Sequence, residues 1–145
     1  MPPGAPIRSY KDLIVWQRAI HLLVMVNRII GQIPPPERHD FGRQMRRAAL
    51  SVSANIAEGF GRDHLGDFLH HLSISRASVL EVESDLLAVR ALALVPDREL
   101  EPAISSADQI GRMLASHSRS LRSRLRGRSN RPTFFDSRPS PGTGN

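Results

Sequence analysis

The chain has 145 residues, 40% of them apolar and 5% aromatic, with a formal net charge of +6 and no cysteine. That length suits one domain with a core built mainly from Leu, Ile, Val and Ala, and the lack of cysteine excludes disulfides and thiolate metal sites. No apolar run approaches the roughly 18 residues that span a bilayer, and the opening MPPGAPIRSY has no apolar h-region, so the expectation is a cytoplasmic protein with no membrane role.

Residues 1–9 are proline-rich and aperiodic, which predicts a flexible lead-in. A first helix is expected over about 10–30. It carries one apolar seam at Leu13, Trp16, Ile20, Leu23, Asn27 and Ile30 and a second at Val15, Ala19, Leu22, Val26 and Ile29. Two seams exceed what one neighbour covers, so this helix is central in its bundle or also faces another subunit. Gly31 and the prolines at 34, 35 and 36 stop it.

A second helix is expected from Glu37 to Glu58 or Gly59, with Gly59 and Gly61 as C-terminal caps that tolerate positive φ. Phe41, Met45, Ala48, Val52 and Ile56 form its apolar row. Beside them Gln44, Arg47, Ser51, Asn55 and Glu58 repeat the same spacing as a continuous polar stripe, and small residues at 48, 49, 51, 53, 54 and 57 let another helix come close. A buried polar group without a partner costs about 1–3 kcal/mol, so the stripe predicts an internal hydrogen-bond network sealed between helices.

Asp63 is expected to cap a third helix that reaches about Leu94, the longest of the set, with Leu65, Phe68, Leu72, Ser75, Val79, Val82, Leu86 and Val89 in one row. After Pro96 a fourth helix is expected from near Glu101, because Pro102 suits a first turn. Leu100, Ile104, Ala107, Ile110, Leu114, Leu121 and Leu125 form its inner face, and Gly127 is its stop. The composition predicts disorder over 128–145. The organisation is therefore a lead-in at 1–9, an all-α, antiparallel up-and-down four-helix bundle over 10–127, and a disordered tail.

The run from Gln44 through Asn55, Ile56, Ala57, Glu58 and Gly59 to Arg62 resembles the signature of the four helix bundle protein family, also called the 23S ribosomal RNA intervening-sequence protein family. Asp12-Leu13, Val15-Trp16-Gln17, Ile33-Pro34 and Glu37 resemble its opening and first connection, and Phe68-Leu69, Leu72, Ser78, Glu81 and Glu83 its third helix. A similar fold occurs in the accessory variability determinant of diversity-generating retroelements. The resemblance spans about 10–125 and implies a homopentameric barrel. Two positions depart from the pattern: Ala77 stands where a glycine is usual, and Asn27 where an aromatic is common.

Catalysis is not expected. Asp67, paired with His70, is the one carboxylate at helical spacing from any of the six histidines, and the paired Glu-x-x-His motifs of a di-iron bundle are missing. Gly59 and Gly61 lack the strand, third glycine and lysine of a phosphate loop, and no nucleophilic triad stands out. No metal or cofactor is expected, and the histidines of the third helix read as surface residues. Glu58 reads as a partner for Arg62 or for an arginine on another helix, and Glu81 as a partner for Asn55 or Arg47, both holding the bundle in register.

Charge placement points elsewhere. Residues 1–110 carry twelve basic and thirteen acidic side chains, whereas 111–145 carry eight arginines against Asp136 alone. Arg43, Arg46 and Arg47 lie within about one turn, and Arg119, Arg122 and Arg126 recur at helical spacing, so both clusters are candidate phosphate contacts. No aromatic interleaves with them, which argues against base stacking; Phe134 and Phe135 in the tail are the exceptions. The expectation is a non-enzymatic, oligomeric bundle that binds RNA or DNA through arginine-rich surface, as an accessory to a reverse transcriptase or to structured RNA. The alternative is a protein-binding scaffold, with the basic residues forming a solvated face and a solubilising tail.

Overall fold

The segments with apolar residues three and four apart become helices in the computed structural model, which describes residues 4–129. They are α1 (Ile14–Gln32), α2 (Pro35–Phe60), α3 (Leu65–Ala91) and α4 (Asp97–Ser129), preceded by a 3-10 turn at Tyr10–Asp12; no strand occurs among the described residues. The predicted first helix is thus broken. Ser9 and Asp12 close a reciprocal capping box on the short turn, and Leu13 adopts an extended conformation (φ −72°, ψ 122°) that turns its side chain into the core before α1 starts.

Other boundaries shift for reasons that lie in the caps. Pro35 and Pro36 open α2, earlier than Glu37, because the first amides of a helix have no acceptor within it and their loss is harmless. Gly61 sits at the C-cap of α2 with φ −79°, so its freedom at positive φ is not used. His64 takes the N-cap of α3 with no side-chain hydrogen bond, in place of the capping expected from Asp63. The fourth helix begins at Asp97 with Pro102 inside it. One amide is lost there, and its would-be acceptor belongs to exposed Arg98, where water can satisfy it. At 33 residues α4 is longer than α3 at 27, and it continues through Gly127 to Ser129. The predicted disorder over 130–145, with Phe134 and Phe135, lies outside the described residues, as do residues 1–3 of the lead-in.

Each helix packs on two neighbours: α1 on α2 and α4, and α3 on α2 and α4, with the diagonal pairs apart. Lateral contacts pair rising numbers in one helix with falling numbers in the next, as in Gln44 with Asp85 and Asn55 with His71, so adjacent helices are antiparallel. The core is aliphatic. Leu22, Ile33, Met45, Ile56, Leu72, Leu86, Leu100, Ile110 and Leu114 are fully buried within it. Of the two seams read on the first helix, the one through Val15, Ala19, Leu22, Val26 and Ile29 is buried, whereas Trp16, Ile20 and Leu23 remain half-covered. Asn27 and Ala77, the two departures from the family pattern, are both exposed, so neither alters the core.

Glycine matters at two close approaches. A Cβ at Gly42 would lie 2.8 Å from Ile30 Cγ2, and one at Gly59 would lie 2.8 Å from both His71 Cβ and Phe68 Cδ2. These positions bring α2 against α1 near one end and against α3 near the other.

Candidate nucleic-acid interface

Residues 44, 47, 51, 55 and 58 share a face of α2, and that face meets α3 along the rim of their interface. Gln44 Nε2 donates to Asp85 Oδ1 at 2.9 Å, and Arg47 Nη2 donates to Glu81 Oε1 at 3.3 Å. Ser78 Oγ donates to Ser51 Oγ at 2.8 Å, with the Ile74 carbonyl at 3.0 Å as a second acceptor. Asn55 Nδ2 donates to the Ser51 carbonyl and hydroxyl at 2.9 and 3.1 Å, while its Oδ1 lies 3.1 Å from His71 Nδ1. The same nitrogen is 3.6 Å from Glu58 Oε2. Because Asn55 Oδ1 can only accept, the arrangement favours the tautomer with the proton on Nδ1.

The stripe is thus connected but not sealed. Ser51 and Asn55 are half-buried, and Gln44 and Glu58 are exposed, since the row lies at the edge of the α2–α3 contact. Beneath it, fully buried Ser75 donates to the Val52 carbonyl at 2.8 Å. Glu81 meets Arg47 as expected, but Glu58 meets His71 instead of an arginine. His71 also corrects the reading of the third-helix histidines as surface residues. Its side chain is mostly covered, whereas adjacent His70 is exposed.

Asp85 is a further member of this seam that sequence reasoning missed. It is buried, its Oδ2 makes no hydrogen bond, and burial pushes its carboxyl above the ordinary range. The negative charge of Glu81 adds to that shift, while the Gln44 hydrogen bond and the charge of Arg47 oppose it. A carboxyl whose folded-state pKa is raised binds its proton more tightly when folded than when unfolded. Its contribution to stability is therefore most favourable below the unfolded value and is lost as pH rises through the folded one. Asp85→Asn is expected to flatten this slope between the ordinary carboxylate range and neutral pH, leaving the variant more stable than the parent at pH 7. Urea melts across that interval check it, and parallel stability–pH curves would refute it. The signal was available in the sequence as a charged residue in line with Ser78, Val82 and Val89 on a buried face.

The arginines fall at opposite ends of the bundle. Arg43, Arg46 and Arg47 are exposed on the first half of α2, where Arg46 donates to Asn27 Oδ1 at 3.2 Å and Arg47 is held by Glu81. Arg119, Arg122 and Arg126 are exposed on the last three turns of α4, beyond the level at which Gly111 faces Val79. At 1.5 Å per residue the two groups lie on the order of 20–30 Å apart along the bundle, so they are separate patches. Arg119, Arg122 and Arg126 share one side of α4; Arg124 and Arg128 are exposed on the other. From Gly111 to Ser129 the helix has no carboxylate, and Arg112 is paired with Asp108 at 3.1 Å one turn earlier. Cations in the last turn also complement the helix dipole.

Among the described residues, no three His, Asp or Glu side chains converge as a metal site requires, and no helix is long and apolar enough to cross a membrane.

Residues 11–116 match the family described as 23S rRNA-intervening sequence protein. The fold is similar to the crystal structure of a protein of unknown function from the S23 ribosomal protein family of Bacteroides thetaiotaomicron, with a TM-score of 0.68 and 19% identity over 72% of this chain and 98% of that one. No curated protein matches the sequence.

Proposed function

The chain belongs to the 23S rRNA-intervening sequence protein family, and on that footing we propose that it is a non-enzymatic bundle that self-associates and binds RNA or DNA by its phosphates. The observation that carries this reading is the C-terminal part of α4, where Arg119, Arg122, Arg124, Arg126 and Arg128 are exposed on a stretch whose own residues, 111–129, include no Asp or Glu. A phosphate backbone is a row of equally charged sites, and arginine matches each with two parallel donors. Binding of this kind releases counterions, so it weakens steeply with salt and discriminates little between sequences. Arg43, Arg46 and Arg47, the other basic cluster of the sequence, stand toward the other end of each bundle, and the phosphate-binding reading does not rest on them.

Self-association is supported by apolar side chains left on the outside. Ile14 and Val24 on α1 and Leu80 and Leu87 on α3 are 60%, 43%, 57% and 37% exposed. Large exposed apolar groups on two helices are what a contact between copies would cover. A pentamer is the number the family resemblance implies, with light scattering as its measure. A role beside a reverse transcriptase or a structured RNA, in the cytoplasm, is the biological setting we infer.

The test is titration of single-stranded RNA and duplex DNA at several salt concentrations with the intact chain and with the triple variant Arg119→Ala, Arg122→Ala, Arg126→Ala. The variant is expected to lose affinity for all sequences alike, and its salt slope to fall by about two to three. No binding by the intact chain at low salt would leave the protein-scaffold reading, which the exposed leucines also favour.

A further inference from the structure

One concavity of the bundle is separate from the α4 arginines. It is an open groove of about 710 Å³ on the outer side of the α1–α2 contact, running from Pro35 to Leu50 along α2. Gly42 and Ile30 both line it, and the absence of a Cβ at Gly42 lets α2 settle against Ile30 there. Fifteen residues of α2 at 1.5 Å each make it about 22 Å long, or four helical turns.

The lining joins two chemistries. Leu50, 49% exposed, and Pro35 give it apolar ends. Arg38, Arg43, Arg46 and Arg47 stand along it, and no carboxylate lines it. Arg38 and Arg46 are steadied by neutral acceptors, the Ile33 carbonyl at 2.9 Å and Asn27 Oδ1 at 3.2 Å. Only Arg47 has an anionic partner, Glu81 on α3. A guanidinium has five donors, so each retains hydrogen-bonding capacity toward the groove after these single contacts. The groove thus presents positive charge, partly oriented in advance, beside an apolar seat.

We infer that this groove docks an acidic amphipathic segment of a partner protein, its carboxylates on the arginines and an apolar side chain against Leu50. Charge complementarity fixes the sign of the occupant, and the apolar seat separates a peptide from a nucleic acid. A sugar–phosphate strand gains nothing from an exposed leucine, and the lining offers a base one aromatic ring, His39, with no Phe, Tyr or Trp beside it. A helical segment of about four turns with acidic and apolar residues at spacings of three and four matches both its length and its chemistry.

The probe is a fluorescent synthetic peptide of about 15 residues with glutamate and leucine at those spacings, titrated into the full chain by anisotropy. Arg43→Glu and Leu50→Asp, both at exposed positions where folding is spared, are each expected to weaken binding about tenfold or more. The triple alanine variant of Arg119, Arg122 and Arg126 is expected to bind the peptide as the parent does, so loss of nucleic-acid binding and loss of peptide binding are scored independently. Unchanged affinity in Arg43→Glu and Leu50→Asp would overturn the proposal. It would equally be overturned if a leucine-free polyglutamate bound as tightly, if an oligouridine displaced the peptide from this groove, or if either variant changed the assembly mass, which would assign the surface to a second copy of the chain.

Discussion

Gly59→Ala is expected to destabilise the bundle by about 1–3 kcal/mol, the usual range for overpacking a filled interior. A Cβ at this position would come within 2.8 Å of Phe68 Cδ2 and of His71 Cβ. The phenyl ring can swing aside, but His71 Cβ is fixed to the backbone of α3 and yields only if that helix moves. Such movement draws His71 Nδ1 away from Asn55, so one added methyl disturbs both the packing and the polar seam. Thermal unfolding followed by circular dichroism should show a midpoint lower by several degrees for a bundle of this size. Gly31→Ala is the control, since nothing lies within 4 Å of its added Cβ. If Gly59→Ala melted at or above the parent, as Gly31→Ala is expected to, the close approach of α2 and α3 would be wrong.

Asn55→Leu is expected to have a comparable effect, about 1–3 kcal/mol, through unpaired polar groups instead of crowding. Asn55 serves both helices by donating to the Ser51 carbonyl and hydroxyl and accepting from His71. A leucine of similar size fills the space and leaves the His71 nitrogen to the more distant Glu58 alone. Arg128→Ala, at an exposed position, is expected to stay within about 0.5 kcal/mol of the parent. Equal unfolding midpoints for the two variants would show that the seam contributes nothing to holding α2 on α3.

The parts of the fold that could be read in advance are those governed by spacing along one helix. Leu72, Ser75, Val79, Val82, Leu86 and Val89 form the inner row of α3 in the sequence, and all six are buried. The polar row from Gln44 to Glu58 was equally visible, and each of its five residues makes a contact across to α3 or within the row. The partners were harder to read. Glu81 was found for Arg47, but Asp85, Ser78 and His71 depend on how far α2 slides along α3, and a slide of one turn would pair each stripe residue with a different neighbour. Helix ends were poorly legible for a similar reason. Pro35 and Pro36 look like stops in isolation and Pro102 like a first-turn residue, yet each is tolerated further inside a helix where the lost amide or its acceptor has solvent to turn to.

That four helices would form, which side of three of them would turn inward, and that the arginines would remain outside were already set by the order of the residues. Those outcomes follow from local periodicity and from the penalty for removing an unpaired charge from water. It took the packing of helix on helix to place the polar stripe at a rim, to enclose Asp85 beside it, and to set the two arginine clusters toward opposite ends with a groove beside one of them. Each of these is a property of two helices at a given separation and offset. Close contacts at Gly42 and Gly59 set that separation, and no pattern within a single helix encodes it.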